Sequence, residues 1–498
     1  MSTIKRDLCL PGFIVDLAQI EWALYCTRQK AVSWDRKIDT ITVNPTLTLL
    51  SVGWENLVKL VKEKSSEPAV VKKMADVYVM VWRDLKTDKV HIREAGDIDL
   101  LSLKIVVEKI PFKSAAESGG VTIGAIESSV NRAIAQGILI GPDSRIRRNH
   151  SAPSDTVPEM ASYMSADIFT LQWHITQACD LHCKHCYDRS KRTALTYHHA
   201  KAILDDFYSF CSDMNVRGQV TFTGGNPLLY PRFDDIYRKA AEFGFGIAIL
   251  GNPSPIEKIK ALVEIEKPLF FQISLEGLEA HNDSIRGVGH FKRSLRFLDE
   301  LRELDIYTMV MLTLTRDNID QVLKLAGLLR DRTDFFTFNR LSTVGEGASL
   351  LMSEPREFES FLRAYEAACQ ENPILGMKDN LTNIIRLEKG RDVFGGCTGY
   401  GCGAAFNFVA IISNGDVHAC RKFPSLIGNI LDHRLGEIYH SDLAQAYRKG
   451  SQACHNCPLN IVCRGCMAIT YSQGLDVFKE KDPFCFLALN PKKSVQIE

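Results

Sequence analysis

The sequence predicts an α/β protein: a parallel sheet with helices outside, open or closed into a partial barrel. Three observations lead there. Strand-like and helix-like patterns alternate from residue 169 to about 345. The chain has 498 residues, 60 basic against 60 acidic, with 45% hydrophobic and 24% charged, the composition of a large globular protein. Its 15 cysteines are bunched rather than spread. Collagen-like, wholly disordered and membrane-spanning classes are excluded, because no apolar run approaches the roughly 18 residues a membrane helix needs. A formal net charge of zero does not favour nucleic acid as a partner. Pro11, Gly12 and Asp16 interrupt the first apolar residues. No secretory signal is therefore expected, and a cytoplasmic location follows. In a reducing compartment, that many cysteines point to metal or redox chemistry rather than disulfides.

The first domain is expected at 1–150. Phe13, Leu17, Ile20 and Leu24 recur at helical spacing. VYVMVW (77–82) and KVHIR (89–93) flank a polar turn and read as a hairpin. A helical stretch over 98–109 follows, then a break at Pro111 and another stretch over 121–140. Hairpin, helix, turn and helix make a winged-helix-like module. Its last helix sets Arg132 against Glu127, a poor reader of phosphates, which favours peptide or protein docking over DNA. The run 141–165 is rich in Pro, Ser and charge and supplies a linker, bounded at 151–168.

The sheet domain is expected at 169–385. Its strands are 169–176, 218–224, 246–250, 269–275, 307–314 and 334–341. Amphipathic stretches such as 198–210, 232–243 and 291–304 separate them. Active sites of such sheets lie at the C-terminal strand ends. Cys179, Cys183 and Cys186 follow the first strand, and Gly224-Gly225 follow the second, so both fall on that face.

Three thiolates on one short loop, spaced C-x3-C-x2-C, can hold three irons of a [4Fe–4S] cluster and leave the fourth iron open. A zinc site completed by His182 or His185 is the alternative. Eight further cysteines crowd the last quarter: Cys397, Cys402, Cys420, Cys454, Cys457, Cys463, Cys466 and Cys485. They suit two fully ligated [4Fe–4S] clusters or two four-cysteine zinc sites. FNFVAIISNGDVHAC reads as a hairpin with Asn414-Gly415 in a type I′ turn. Cys9, Cys26, Cys211 and Cys369 remain, with buried packing as the default.

The segment ACDLHCKHCY resembles the cluster motif of radical SAM enzymes, including an aromatic residue, Tyr187, beside the last cysteine. The resemblance extends over the six β/α units. It implies a partial (β/α)6 barrel that reductively cleaves S-adenosylmethionine (SAM) to a 5′-deoxyadenosyl radical. TFTGGNPLLYP (221–231) resembles the family's glycine-rich motif. By that resemblance Gly224, Gly225, Asn226 and Pro227 face the methionine end of SAM, and glycine admits the close approach. The family usually has Glu where this chain has Asn226, so one contact is uncharged or supplied elsewhere. FQISLEGLEAHNDSIRGVGHF (271–291) carries Ser274 and Arg286, which the resemblance makes contacts for ribose and carboxylate, with Asn252 a further contact. Arg340 either lines the site or pairs with a helix.

The C-terminal cysteines resemble the SPASM extension of radical SAM proteins, departing only by x2 instead of x3 before Cys466. This implies a domain at 386–498 with Cys397, Cys402, Cys420 and Cys466 on a nearer auxiliary cluster. Cys454, Cys457, Cys463 and Cys485 would hold a farther one, making three [4Fe–4S] clusters in all. The glycines of GGCTGYGCG (395–403) are expected to bring backbone N–H groups close to sulfur. SPASM-type relatives mostly modify peptides or proteins. The resemblance therefore implies an oxidoreductase that crosslinks, cyclises or dehydrogenates a ribosomally made precursor peptide. That peptide would add a strand to the edge of the N-terminal hairpin, and a flavodoxin or ferredoxin would donate electrons. The overall texture looks like the selenobiotic or thio(seleno)oxazole peptide-maturase group. Sulfatase-maturing relatives carry a carboxylate where this chain has Arg421, which could hold a peptide carboxylate or carbonyl. A redox-sensing iron–sulfur DNA-binding regulator, and an enzyme acting on a small molecule, a tetrapyrrole or a protein such as a sulfatase, are the other readings.

Overall fold

The computed structural model describes residues 11–30, 38–62, 71–148 and 158–487. Cys9 lies outside them. The chain divides into two compact units, Met1–Asp143 and Ser144–Glu498. Among the described residues no helix is long and apolar enough to cross a membrane.

In the first unit, α1 (Ile14–Gln29) precedes β1 (Thr42–Val43), β2 (Thr48–Glu55), α2 (Leu57–Lys62), β3 (Lys72–Arg83) and β4 (Val90–Glu94). Then come α3 (Asp97–Val107), α4 (Phe112–Gly119), α5 (Ile123–Ala135) and β5 (Leu139–Ile140). Strands β2, β3 and β4 form an antiparallel sheet, with Leu50 opposite Val79 and Val81 opposite Ile92. Its apolar face closes on Ile20, Ala23 and Leu24 of α1. Helix α3 is capped by Asp99, whose carboxylate accepts the Gly96 N–H at 2.9 Å and takes a forked pair of bonds from Arg93. Thr122 caps α5 through the Ala125 N–H.

Two elements here were not foreseen. The hairpin is part of a three-stranded sheet whose first strand, β2, carries two adjacent leucines, Leu49 outward and Leu50 inward, and a register shift between Val52 and Trp54. Pro111 starts a helix, α4, instead of only ending one. The stretch 121–140 ends in β5, which pairs with β1.

The second unit is built on a nine-stranded sheet. Six parallel strands run β6 (Ile168–Thr176), β7 (Arg217–Gly224), β8 (Gly246–Leu250), β9 (Phe270–Ser274), β10 (Thr308–Leu314) and β11 (Phe335–Arg340). Each is followed by at least one helix: α6 (Tyr197–Asp213), α7 (Phe233–Glu242), α8 (Ile256–Ile265), the pair α9 (Glu279–Arg286) and α10 (His290–Glu303), α11 (Val322–Leu329), and α12 (Pro355–Ala368). This is the α/β partial barrel. Period-two alternation decides its faces. Phe169, Leu171, Trp173, Val220, Phe222 and Phe271 are fully buried. Phe169 meets Phe210 of α6 at 4.8 Å, Phe222 meets Phe233 of α7 at 5.2 Å, and Phe271 meets Phe297 of α10 at 5.3 Å. The intervening row is polar and so belongs to the other face: Gln172 stands level with Thr221, and His174 with Thr223.

The sheet does not stop at β6. After α13 (Thr382–Glu388) the chain returns as β12 (Phe408–Ile411), parallel to β6, and continues antiparallel as β13 (Asp416–His418) and β14 (Leu426–Asn429). Helices α14 (Leu435–His440), α15 (Asp442–Lys449) and α16 (Met467–Ser472) follow. The β12–β13 turn is not type I′. Among the loop residues only Gly415 takes positive φ, and its N–H bonds the Ile412 carbonyl at 2.9 Å. The turn is therefore centred on Ser413-Asn414, with Gly415 as the left-handed bulge residue of a three-residue loop.

Candidate functional site

The loop carrying Cys179, Cys183 and Cys186 leaves the end of β6 and is pinned on several sides. The Gly225 N–H bonds the Thr176 carbonyl at 2.9 Å, and the Asn226 N–H bonds the Ala178 carbonyl at 2.8 Å. A Cβ on Gly224 would stand 2.2 Å from the Thr176 oxygen. One on Gly225 would stand 2.2 Å from the Ala178 oxygen and 2.9 Å from the Cys179 Cβ. The double glycine thus lets the end of β7 lie directly against the root of the cysteine loop. Gly225→Ala is expected to push that root outward and lower the iron bound by purified protein, with the circular dichroism spectrum unchanged. Full iron content in that variant would show that the close approach does not matter.

Farther along, the Lys184 N–H bonds the Ile285 carbonyl at 3.0 Å, and the Glu346 N–H bonds the Cys186 carbonyl at 2.8 Å. The three thiols are graded in exposure: Cys179 is exposed, while Cys183 and Cys186 are half-buried. Burial pushes the Cys183 thiol up, against the pull of Arg286. Arg286, at the end of α9, brings Nη1 to 3.8 Å from the Cys183 sulfur. Its Nε and Nη2 both donate to Glu276 Oε1, at 2.8 and 2.6 Å. Burial works against the Glu276 charge, yet His185, Arg286 and the Thr313 N–H hold its carboxyl below the usual range. Arg286 therefore enters the site already carrying a counter-charge. Ser274 ends β9, beside Met311 of β10.

Asn226 and Asn252 are buried and converge on one acceptor. The Asn252 Nδ2 donates to Asp180 Oδ1 at 2.7 Å, and the Asn226 Nδ2 donates to the same oxygen at 3.1 Å. Asn252 also reaches the Cys179 sulfur at 3.6 Å. The Asn226 Oδ1 accepts the Leu228 N–H at 3.3 Å, with Pro227 opening the short turn between them.

Tyr187 is half-buried against His174, oxygen to Nε2 at 3.4 Å. Burial pushes its hydroxyl up to about 12 and holds His174 well below the ordinary histidine range. The Arg421 guanidinium lies 4.6 Å from the Tyr187 ring centre and donates to Asp188. Arg192 donates to the same Asp188 oxygen at 2.5 Å. Burial opposes the Asp188 charge, but the Ser190 N–H, Arg192 and Arg421 bring its carboxyl down to about 2. Arg421 is thus an internal strut from the β13 end to the cysteine loop. Arg340 likewise pairs internally: Nε with Asp379 at 2.8 Å, and a fork onto Asp482 at 3.0 and 2.6 Å.

Cys397, Cys402, Cys420 and Cys466 line one cavity together with Lys378 and Lys422. Cys454, Cys457, Cys463 and Cys485 line another. Burial pushes Cys420 up to about 12 and Cys402 and Cys454 up to about 11. Their backbones are held individually. The Cys397 N–H bonds Asn380 Oδ1 at 2.7 Å, the Cys420 N–H bonds Ser425 Oγ at 3.0 Å, and the Cys466 N–H bonds Asp482 Oδ2 at 2.9 Å. Among the described residues no three or more Cys, His, Asp or Glu side chains stand close enough to hold one metal ion. A Cβ on Gly401 would stand 3.0 Å from the Cys463 nitrogen and 2.9 Å from the Val462 carbonyl carbon, so this glycine lets one cysteine loop stack on the other. Of the remaining cysteines, Cys211 is buried, Cys369 half-buried and Cys26 exposed, so buried packing fails for Cys26.

Sequence reasoning singled out neither Asp180, Asp188 nor Glu276. Each lies within or beside a quoted motif, but Asn252 of Asp180, Arg421 of Asp188 and the Thr313 N–H of Glu276 are distant partners that no local pattern marks.

Comparison with known proteins agrees with this geometry. Residues 173–329 match the Radical SAM superfamily, and residues 402–467 match SPASM, an iron–sulfur cluster-binding domain. AdoMet-dependent heme synthase of Methanosarcina barkeri is 25% identical over 345 residues, covering 63% of this chain and 95% of its own. Mycofactocin maturase MftC of Mycolicibacterium smegmatis is 28% identical over 332 residues, covering 63% and 82%. The structure of Streptococcus suis SuiB bound to precursor peptide SuiA superposes with a TM-score of 0.52 at 18% identity, covering 82% of this chain and 96% of that one. With the cysteine loop seated on the end of the parallel sheet, these matches give the chain a radical SAM domain over residues 173–329 and a SPASM domain over 402–467.

Proposed function

We propose that this enzyme oxidatively modifies a ribosomally made precursor peptide. The observation that carries the reading is the pairing of a SAM-type cysteine loop with a separate N-terminal unit that ends its sheet in an open strand. Among the described residues strand β4 pairs only with β3, which leaves an edge for an added peptide strand. At the other edge, the Gly53 N–H of β2 is already bonded to Asp16 of α1 at 2.7 Å. The likeness to SuiB supports the same reading, since its coverage exceeds the second unit alone.

Cys179, Cys183 and Cys186 would hold a [4Fe–4S] cluster with one open iron. Four cysteines lining each of two cavities suit multi-iron clusters in the C-terminal region as well. Cys397, Cys402, Cys420 and Cys466 would hold one, and Cys454, Cys457, Cys463 and Cys485 the other. Bound SAM supplies, on one-electron reduction, a 5′-deoxyadenosyl radical that takes a hydrogen atom from the substrate. This chain's residues orient and exclude. Gly224, Gly225, Asn226, Pro227 and Asn252 would border the methionine end, Ser274 the ribose and Arg286 the carboxylate, and Tyr187 would close the loop behind Cys186. The polar row of Gln172, Thr221 and Thr223, on the sheet face away from the helices, would offer the substrate hydrogen bonds. A flavodoxin or ferredoxin would donate the electrons.

Similarity to a heme synthase favours a second reading, a tetrapyrrole substrate. Full-length protein, reconstituted anaerobically and given SAM and dithionite, is expected to release 5′-deoxyadenosine. Adding the peptide translated from a short reading frame beside the gene should raise that yield and remove hydrogen atoms from the peptide in pairs, read by mass. No 5′-deoxyadenosine under any condition defeats the radical reading. Turnover of iron coproporphyrin with an unchanged peptide replaces the peptide by the tetrapyrrole.

A further inference from the structure

Asp180 stands immediately after Cys179, and both residues are exposed at the C-terminal end of the sheet. The carboxylate is held by two amides that are themselves buried, Asn226 at 2% and Asn252 at 8% exposure. Both donate to Oδ1, at 3.1 and 2.7 Å. Such a fixture costs side-chain freedom and aligns two amide dipoles on one anion. Yet no lysine, arginine or histidine pairs with Asp180 among the described residues, unlike Glu276 with Arg286 and Asp188 with Arg192. An oriented carboxylate without a counter-cation, beside the exposed thiol of the loop, is suited to a cationic ligand that arrives with the cluster. Asn226 cannot serve in its place. It is uncharged, its oxygen accepts the Leu228 N–H, and its nitrogen is directed at Asp180.

We propose that Asp180 provides the anionic contact for the methionyl ammonium of SAM, with Asn226 and Asn252 as the residues that position it. This rests on the reading of Cys179, Cys183 and Cys186 as a SAM-binding cluster loop. Each partner keeps its own chemistry: the ammonium donates to Asp180 Oδ2, while Oδ1 keeps its two amide bonds.

The test uses full-length, anaerobically reconstituted protein and the variant Asp180→Asn. The amide oxygen can still accept both bonds, so the loop keeps its pins and only the charge is lost. Iron and sulfide content should match wild type. The SAM dissociation constant, from equilibrium dialysis, should rise about 10- to 100-fold, as for loss of a charge-assisted hydrogen bond. The change that SAM makes in the electron paramagnetic resonance of the reduced cluster should need correspondingly more SAM. Methylthioadenosine, which lacks the ammonium, should bind both proteins alike. Asp180→Asn/Asn226→Asp, which moves the charge one hydrogen bond away, should recover most of the affinity. Binding of SAM by Asp180→Asn within twofold of wild type overturns the proposal. Loss of iron in that variant overturns it too, since Asp180 would then serve the loop and not the ligand. Failure of iron-replete wild type to bind SAM removes the reading beneath the proposal, and that outcome is visible before any variant is made.

Discussion

Cys183→Ala is expected to remove about four irons per chain and all detectable 5′-deoxyadenosine formation. A loop with two thiolates cannot hold the three irons that leave one open for SAM. The fold should survive, because the partner left facing the gap is already satisfied: Arg286 keeps both of its bonds to Glu276. No buried charge is stranded, so the cost is that of a small cavity in a half-buried loop. Iron and sulfide analysis, thermal unfolding and chromatography of the SAM products check the three statements separately. A variant with wild-type iron content and product yield would mean that Cys183 is no ligand, and the cluster reading of the loop would fall with it.

The second large effect is on stability. Arg340→Met is expected to destabilise the second unit by about 3–5 kcal/mol or more. Arg340 is 5% exposed and bonds Asp379 once and Asp482 twice. Methionine approximates its volume but leaves two buried carboxylates without a counter-charge, and that penalty exceeds what the intact pair contributes. The damage should spread to the cysteines. Asp482 accepts the Cys466 N–H, and Asp379 accepts the Leu381 N–H beside Asn380, which in turn holds the Cys397 N–H. Purified Arg340→Met should therefore unfold at markedly lower temperature or denaturant and carry less iron, while Arg340→Lys, which keeps charge but not the fork, falls between. Wild-type stability and iron content in the methionine variant would show that the two carboxylates find other partners.

What was legible in the sequence is what local periodicity and spacing carry. An apolar residue every second position, broken by helical stretches, has one economical solution, so the six parallel strands could be placed from sequence to within a residue or two. The cysteine spacing likewise puts three thiols on one loop wherever that loop lies. Elements that break their own pattern were lost. The adjacent Leu49 and Leu50 and the register shift between Val52 and Trp54 hid β2, and the small, polar residues of 112–119 hid α4. The Asn-Gly pair gave the right hairpin with the wrong turn, because the register of β12 against β13 moved the centre of the turn one residue earlier.

The tertiary structure decided everything that depends on partners remote in sequence. Arg340 meets Asp482 across 142 positions, Arg421 meets Asp188 across 233, and Asn252 meets Asp180 across 72. Alone, each of these reads as an ordinary surface charge or amide. Burial changes that, because a charge removed from water must be matched by a particular neighbour. The same holds for the eight C-terminal thiols. Their number is a property of the sequence, but which four share a cavity depends on where α13, the β12–β13 hairpin and the last loops come to rest. The chemistry was written locally in the cysteines, and the charges that shape the site around them exist only once the chain has folded.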